Sequence, residues 1–97
     1  MSKSKHDVIA EKLAKKFGTE YTIDKGIDIV TRDRVVEVET KKDSLSQGID
    51  QVQHSSKPRY LAVNKPNIDN ALDATKGTGI GVMNESGRII KKAGRKR

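Results

Sequence analysis

The order of apolar patterns in the chain predicts an α/β domain, with helices layered on one central mixed sheet. Three observations carry this prediction. Residues 6–17 repeat apolar side chains at helical spacing. Residues 34–40 alternate valines with polar residues at strand spacing. "RYLAV" (59–63) is an unbroken apolar run of strand length, as a buried parallel strand shows, with a helical pattern on either side. The 97 residues hold one such domain and not two.

Element by element, Ile9, Leu13 and Phe17 recur every four residues, with Ala10 and Ala14 beside them, and Gly18 is a stop signal. "YTI" (21–23) and "IDIV" (27–30) read as short strands. The polar turn "TRDR" joins the second of them to "RVVEVET" (34–40). Ser44 with Gln47 three residues on is a capping-box pattern, and Leu45, Ile49 and Val52 mark the helix after it. That helix must end before Pro58. The strand 59–63 follows a helical crossover, so it is expected to run parallel to the strand before the helix. Asn67 is placed to cap a helix through Ile68, Ala71, Leu72 and Thr75, stopped by Gly77. "IGVM" (80–83), the turn "NESG" and "RII" (88–90) complete a closing hairpin. The expected division is a flexible basic arm (1–5), a single domain (6–91) and a flexible basic tail (92–97).

Composition narrows the classes. Hydrophobic residues are 33% of the chain, with one Phe, two Tyr and no Trp, so the core is lean and a buried polar group in it requires a reason. Twenty Lys and Arg against thirteen Asp and Glu give a net charge of +7, which favours an anionic partner, nucleic acid above all. The absence of Cys excludes disulfides and thiolate zinc sites. No apolar run is long enough to cross a bilayer and no apolar leader is visible. The expectation is therefore a soluble, intracellular, cytoplasmic protein without a membrane partner. "KGTGIG" (76–81) follows a helix where a phosphate cradle must precede one, and His6 and His54 lack partners at zinc-ligand spacing.

The acids of the strand pair stand out. Alternation puts Val36 and Val38 on one face and Val35, Glu37, Glu39 and Lys41 on the other. Glu37 and Glu39 are then about 7 Å apart on one side of the strand. If "TRDR" reverses the chain, Asp28 falls opposite the region of Glu37. Carboxylates gathered in this way repel unless a cation neutralises them, and Mg²⁺ takes such oxygen ligands. The same alternation also describes a strand whose polar face meets solvent.

The succession of an N-terminal helix, "GIDIV", "VVEVET", a helix containing "DQV", the strand "YLAV" and the closing "ALDATKGTGIGVMNESGRI" resembles the PD-(D/E)XK nuclease superfamily, in particular its small members akin to archaeal Holliday junction resolvases. The resemblance covers about residues 6–91 and rests on a short motif. It implies a restriction-endonuclease-like, three-layer αβα fold around a mixed sheet. It implies hydrolysis of DNA phosphodiesters with Mg²⁺ or Mn²⁺ by a homodimer. With no specificity domain visible, structure-selective cutting is expected ahead of a defined base sequence. Asp28 and Glu37 match the metal-binding acids, with the Val38 carbonyl as a further ligand. Glu11 matches an acid that members carry on the first helix near the metals. Gln51, with Gln47 one turn earlier, matches a glutamine on the crossover helix. The usual catalytic lysine falls on Glu39, a departure shared by some restriction endonucleases. A shifted register, Glu39-Thr40-Lys41, restores the lysine and moves the acid. The alternatives are a non-catalytic DNA-binding module on the same fold, marked by Glu39, and a small basic RNA-binding protein without a metal site.

Overall fold

The computed structural model describes residues 4–19 and 27–94, and the strand expected over 21–23 lies outside them. The first helix, α1 (Lys5–Lys16), begins where Ser4 accepts a hydrogen bond from the Asp7 N–H at 3.1 Å. Asp7 in its first turn and Lys15 and Lys16 in its last suit the helix dipole. Gly18 follows at φ 73°, a left-handed conformation that ends the helix at low steric cost. The arm expected over 1–5 therefore reaches the domain at Ser4.

Among the described residues, five strands form one sheet in the order β1 (Ile29–Val30), β2 (Val35–Glu39), β3 (Arg59–Val63), β4 (Gly81–Met83), β5 (Ile89–Lys91). The outer pairs β1–β2 and β4–β5 are antiparallel. The central pairs β2–β3 and β3–β4 are parallel and joined through the helices α2 (Leu45–Val52) and α3 (Ile68–Ala74). The sheet is thus mixed, as the patterning predicts. The β1–β2 turn is tied locally: Thr31 Oγ1 accepts from the Asp33 and Arg34 N–H groups.

Strand alternation divides the core between two layers. Val36, Val38, Tyr60, Ala62 and Met83 face α1, where Ile9, Ala10, Leu13 and Ala14 are buried against them. Val35, Leu61, Val63 and Val82 face the other way, packing with Leu45, Val52 and Ala71 of α2 and α3. Helices cover both faces of the sheet. No helix among the described residues is long and apolar enough to cross a membrane.

Two expected caps do not form. Ser44 and Asn67 each close a 3₁₀ turn that runs directly into the following helix, and each has ψ near 0° in place of the extended backbone of an N-cap. Their side chains are engaged elsewhere. The Ser44 hydroxyl donates to the Lys41 carbonyl at 3.0 Å. Asn67 Nδ2 donates to the Thr40 carbonyl at 3.0 Å and to Asn64 Oδ1 at 2.7 Å, tying the exits of β2 and β3 together. The C-terminal segment is anchored further than its charge suggests. Lys91 Nζ donates to the Thr75 carbonyl, Ala93 N–H to the Tyr60 hydroxyl, and Gly94 N–H to the Gly79 carbonyl at 2.8 Å. Of the tail expected over 92–97, Ala93 and Gly94 are docked in this way, and 95–97 lie outside the described residues.

Candidate functional site

The register Ile29↔Val36 and Val30↔Val35 makes Asp28 and Glu37 the next facing pair. The Asp28 N–H donates to Glu37 Oε1 at 3.0 Å, and the Asp28 carboxylate accepts from the Val38 N–H at 2.9 Å through Oδ2. Two residues on, Glu39 lies on the same side of β2 as Glu37. All three acids are buried, at 7%, 7% and 8% exposure. This rules out the solvent-facing alternative. β2 is an inner strand with β1 on one side and β3 on the other, so α2 covers the face that carries its acids.

Burial sets the electrostatics. Loss of solvent is the main cause that pushes the Glu37 carboxyl from 4.5 up to about 8, with the neighbouring charges of Asp28 and Glu39 adding to it; the Asp28 N–H opposes the rise. Burial also raises Glu39, against hydrogen bonds from Ser44 and Glu37 and the charge of His6. Glu37 is therefore largely protonated at neutral pH.

Glu37 and Glu39 open into a groove of about 390 Å³, walled on the helix side by Gln47, Asp50 and Gln51 of α2. Gln47 and Gln51 are one turn apart, which brings both glutamines singled out in the sequence to the groove. Asp50 is an acid that sequence reasoning passed over; its spacing of three from Gln47 was the available signal. At Gly48, α2 comes so close to β2 that a Cβ would meet Glu39 Cγ at 2.8 Å and Oε2 at 2.9 Å. The absent side chain is what lets the Glu39 carboxylate lie beneath the helix. A larger cleft of about 490 Å³ borders the β1–β2 turn, but it holds a single carboxylate, Asp33, and no paired acids.

Lys41 lies past the end of β2, exposed, and does not line the groove. Glu11 is exposed on α1, about 130° around the helix from the stripe of Ile9, Ala10, Leu13 and Ala14 that meets the sheet. His6 of α1 reaches the acids; it precedes Ile9, Ala10 and Leu13 by three, four and seven positions. Its Nε2 is 3.0 Å from Asp28 Oδ2. The sequence analysis set His6 aside for want of a partner at zinc-ligand spacing, although its place at the head of the apolar stripe was visible.

The donor set fits a hard divalent cation in kind: oxygen atoms only, in a place where further negative charge is unfavourable. It is not a closed cage. Among the described residues no group of three or more His, Asp or Glu side chains stands close enough together to hold a metal ion. Such a site suits an ion that keeps several of its waters. Comparison with protein-family models, with curated proteins and with solved structures finds no match to this chain.

Proposed function

We propose that this protein is a metal-dependent DNA endonuclease on a restriction-endonuclease-like fold. The observation that carries the proposal is the burial of Asp28, Glu37 and Glu39 on adjacent strands, with Glu37 pushed up to about 8 beside a groove. Asp28 and Glu37 would hold Mg²⁺ or Mn²⁺, which when bound neutralises charge on a phosphodiester and lowers the pKa of a water. Glu39, which lines the groove on the same face, would orient and deprotonate that water. Gln47 and Gln51 can donate to phosphate or base from the opposite wall. The exposed lysines and arginines supply contacts that position the DNA backbone without reading its sequence. The register Glu37-Val38-Glu39 is favoured over Glu39-Thr40-Lys41 because both of its acids line the groove and Lys41 does not. A homodimer would present two such sites to two strands.

One observation favours a second reading. Glu39 stands where the resembled family usually has lysine, which suits a DNA-binding module that does not cut. The deciding experiment incubates wild type, Asp28→Asn, Glu37→Gln and Glu39→Lys with linear and branched DNA, with and without Mn²⁺. The nuclease reading expects metal-dependent cuts by wild type, none by the first two variants, and retained cutting by Glu39→Lys. An inactive wild type that still binds DNA, with Glu39→Lys active, establishes the binding module. DNA left both unbound and uncut overturns both.

A further inference from the structure

We propose that His6 is a positioning residue of the acidic site, holding the Asp28 carboxylate in the orientation its ligand needs; this rests on the nuclease reading above. His6 lies in the first turn of α1, and that turn is fixed by the Ser4 cap. The imidazole is held from two sides. Nε2 is 3.0 Å from Asp28 Oδ2, and Nδ1 is 3.4 Å from Asp7 Oδ1. The same Asp28 oxygen accepts the Val38 N–H at 2.9 Å. One oxygen of the carboxylate thus meets both a side chain of α1 and a main-chain donor of β2.

The helix reaches Asp28 from the layer opposite the groove. α1 packs on the Val36 and Val38 face, whereas Glu37, Glu39 and the α2 residues form the groove on the other. Neither His6 nor Asp28 lines that groove; the hydrogen bond of His6 is to Asp28, and its charge also reaches Glu39. A carboxylate on a flexible stem loses rotamer freedom when it binds a cation. A donor that has already fixed its orientation removes part of that cost, as outer-shell partners of metal ligands commonly do.

The test compares wild type, His6→Ala, His6→Gln, Asp28→Asn and the His6→Ala/Asp28→Asn double variant. Mn²⁺ binding is followed by calorimetry and cleavage by initial rates, with circular dichroism to verify folding. His6→Ala is expected to lose about 10- to 100-fold in Mn²⁺ affinity or kcat, with the KM for DNA unchanged. Glutamine can place its amide nitrogen near the position of Nε2, so His6→Gln recovers most of the loss. On Asp28→Asn the alanine change has no further effect. If His6→Ala folds and matches wild type, or if His6→Gln folds and is as impaired as alanine, the positioning role is refuted and the nuclease reading stands. Should His6→Ala fail to fold, His6→Gln alone decides: near-wild-type Mn²⁺ affinity and kcat support the role, and a loss as large as 10-fold refutes it. A wild type that neither binds Mn²⁺ nor cuts removes the nuclease reading and this proposal together.

Discussion

Replacing Glu37 by glutamine tests the electrostatics of the buried acids without any substrate. In the folded protein the Glu37 carboxyl is pushed from 4.5 up to about 8, chiefly by burial. The folded state therefore prefers the protonated acid. Its stability is fully present below about pH 4.5 and is lost as the pH rises toward about 8. A displacement of this size corresponds to about 5 kcal/mol at 1.36 kcal/mol per pH unit. Water entering the open groove and local relaxation reduce it, so about 2–4 kcal/mol is expected. Glu39, also raised by burial, acts in the same direction and is common to both proteins. Glutamine is a neutral image of protonated Glu37: its Oε1 can still accept the Asp28 N–H, and its amide can donate toward the Asp28 side chain. Urea unfolding of wild type and Glu37→Gln from pH 4 to 9 should give equal stabilities near pH 4. Toward pH 9 the variant should become the more stable by about 2–4 kcal/mol, or roughly 4–8 °C in Tm for each kcal/mol. A difference that stays constant between pH 5 and 9, or a variant that is less stable at pH 9, would refute the account of Glu37 as a carboxyl whose charge is unwelcome.

Two further predictions concern packing and charge. Gly48→Ala gains about 1 kcal/mol of helix propensity, but its methyl meets Glu39 and Leu61, an overpacking that costs about 1–3 kcal/mol; thermal denaturation should show a net loss in wild type and a smaller loss on a Glu39→Ala background, where only the Leu61 contact remains, and an equal effect in both would mean that α2 does not press on Glu39. Deleting residues 95–97 removes three cations and should lower the salt slope of DNA binding by up to about 0.9 for each phosphate no longer neutralised, with stability unchanged. Deleting from Lys91 also removes the bonds to Thr75, Tyr60 and Gly79 and should lower the Tm; a salt slope untouched by the shorter deletion would mean that these cations do not meet the DNA backbone.

Much of the fold was legible because it follows from alternation and helical spacing. Val36 and Val38 against Val35, Glu37 and Glu39 divided the two faces, and the run at 59–63 announced a strand buried on both. The parallel pairing of β2 with β3 followed from the helix between them. The caps at Ser44 and Asn67 were misread because residue type alone does not report the backbone: a preceding 3₁₀ turn moved both side chains to other acceptors. The attachment of Lys91 to Gly94 was hidden by composition, since a row of basic residues resembles a solvated tail until its backbone finds partners. At the site, the pairing of Asp28 with Glu37 was legible from the turn between their strands. The approach of His6 was not, because it depends on where α1 lies across the sheet, which spacing along one helix does not fix.

The buried polar residues of this domain divide into two kinds, and the division bears on why its acids are there. Arg59 donates to the carbonyls of Gln53 and Thr78, Asn67 to that of Thr40, and Thr75 to that of Ala71. Arg59 and Asn67 tie the main chain of one segment to another, and Thr75 closes the end of its own helix; each is explained by the connection it makes. Asp28 shares this character through the Val38 N–H. Glu37 makes the reciprocal bond, but at a cost in charge that the others do not carry. Glu37 accepts one N–H, from Asp28, while its ionised form faces the charges of Asp28 and Glu39. An aliphatic residue at 37 would extend the α2 face as Val35 does and would remove that repulsion. Among the described residues every buried side-chain nitrogen and oxygen has a partner, so the arrangement is complete in hydrogen bonds and becomes unfavourable only when Glu37 ionises. In a lean core that carries such a pair beside an open groove, the cation of the proposed nuclease would supply the charge that the fold itself leaves out.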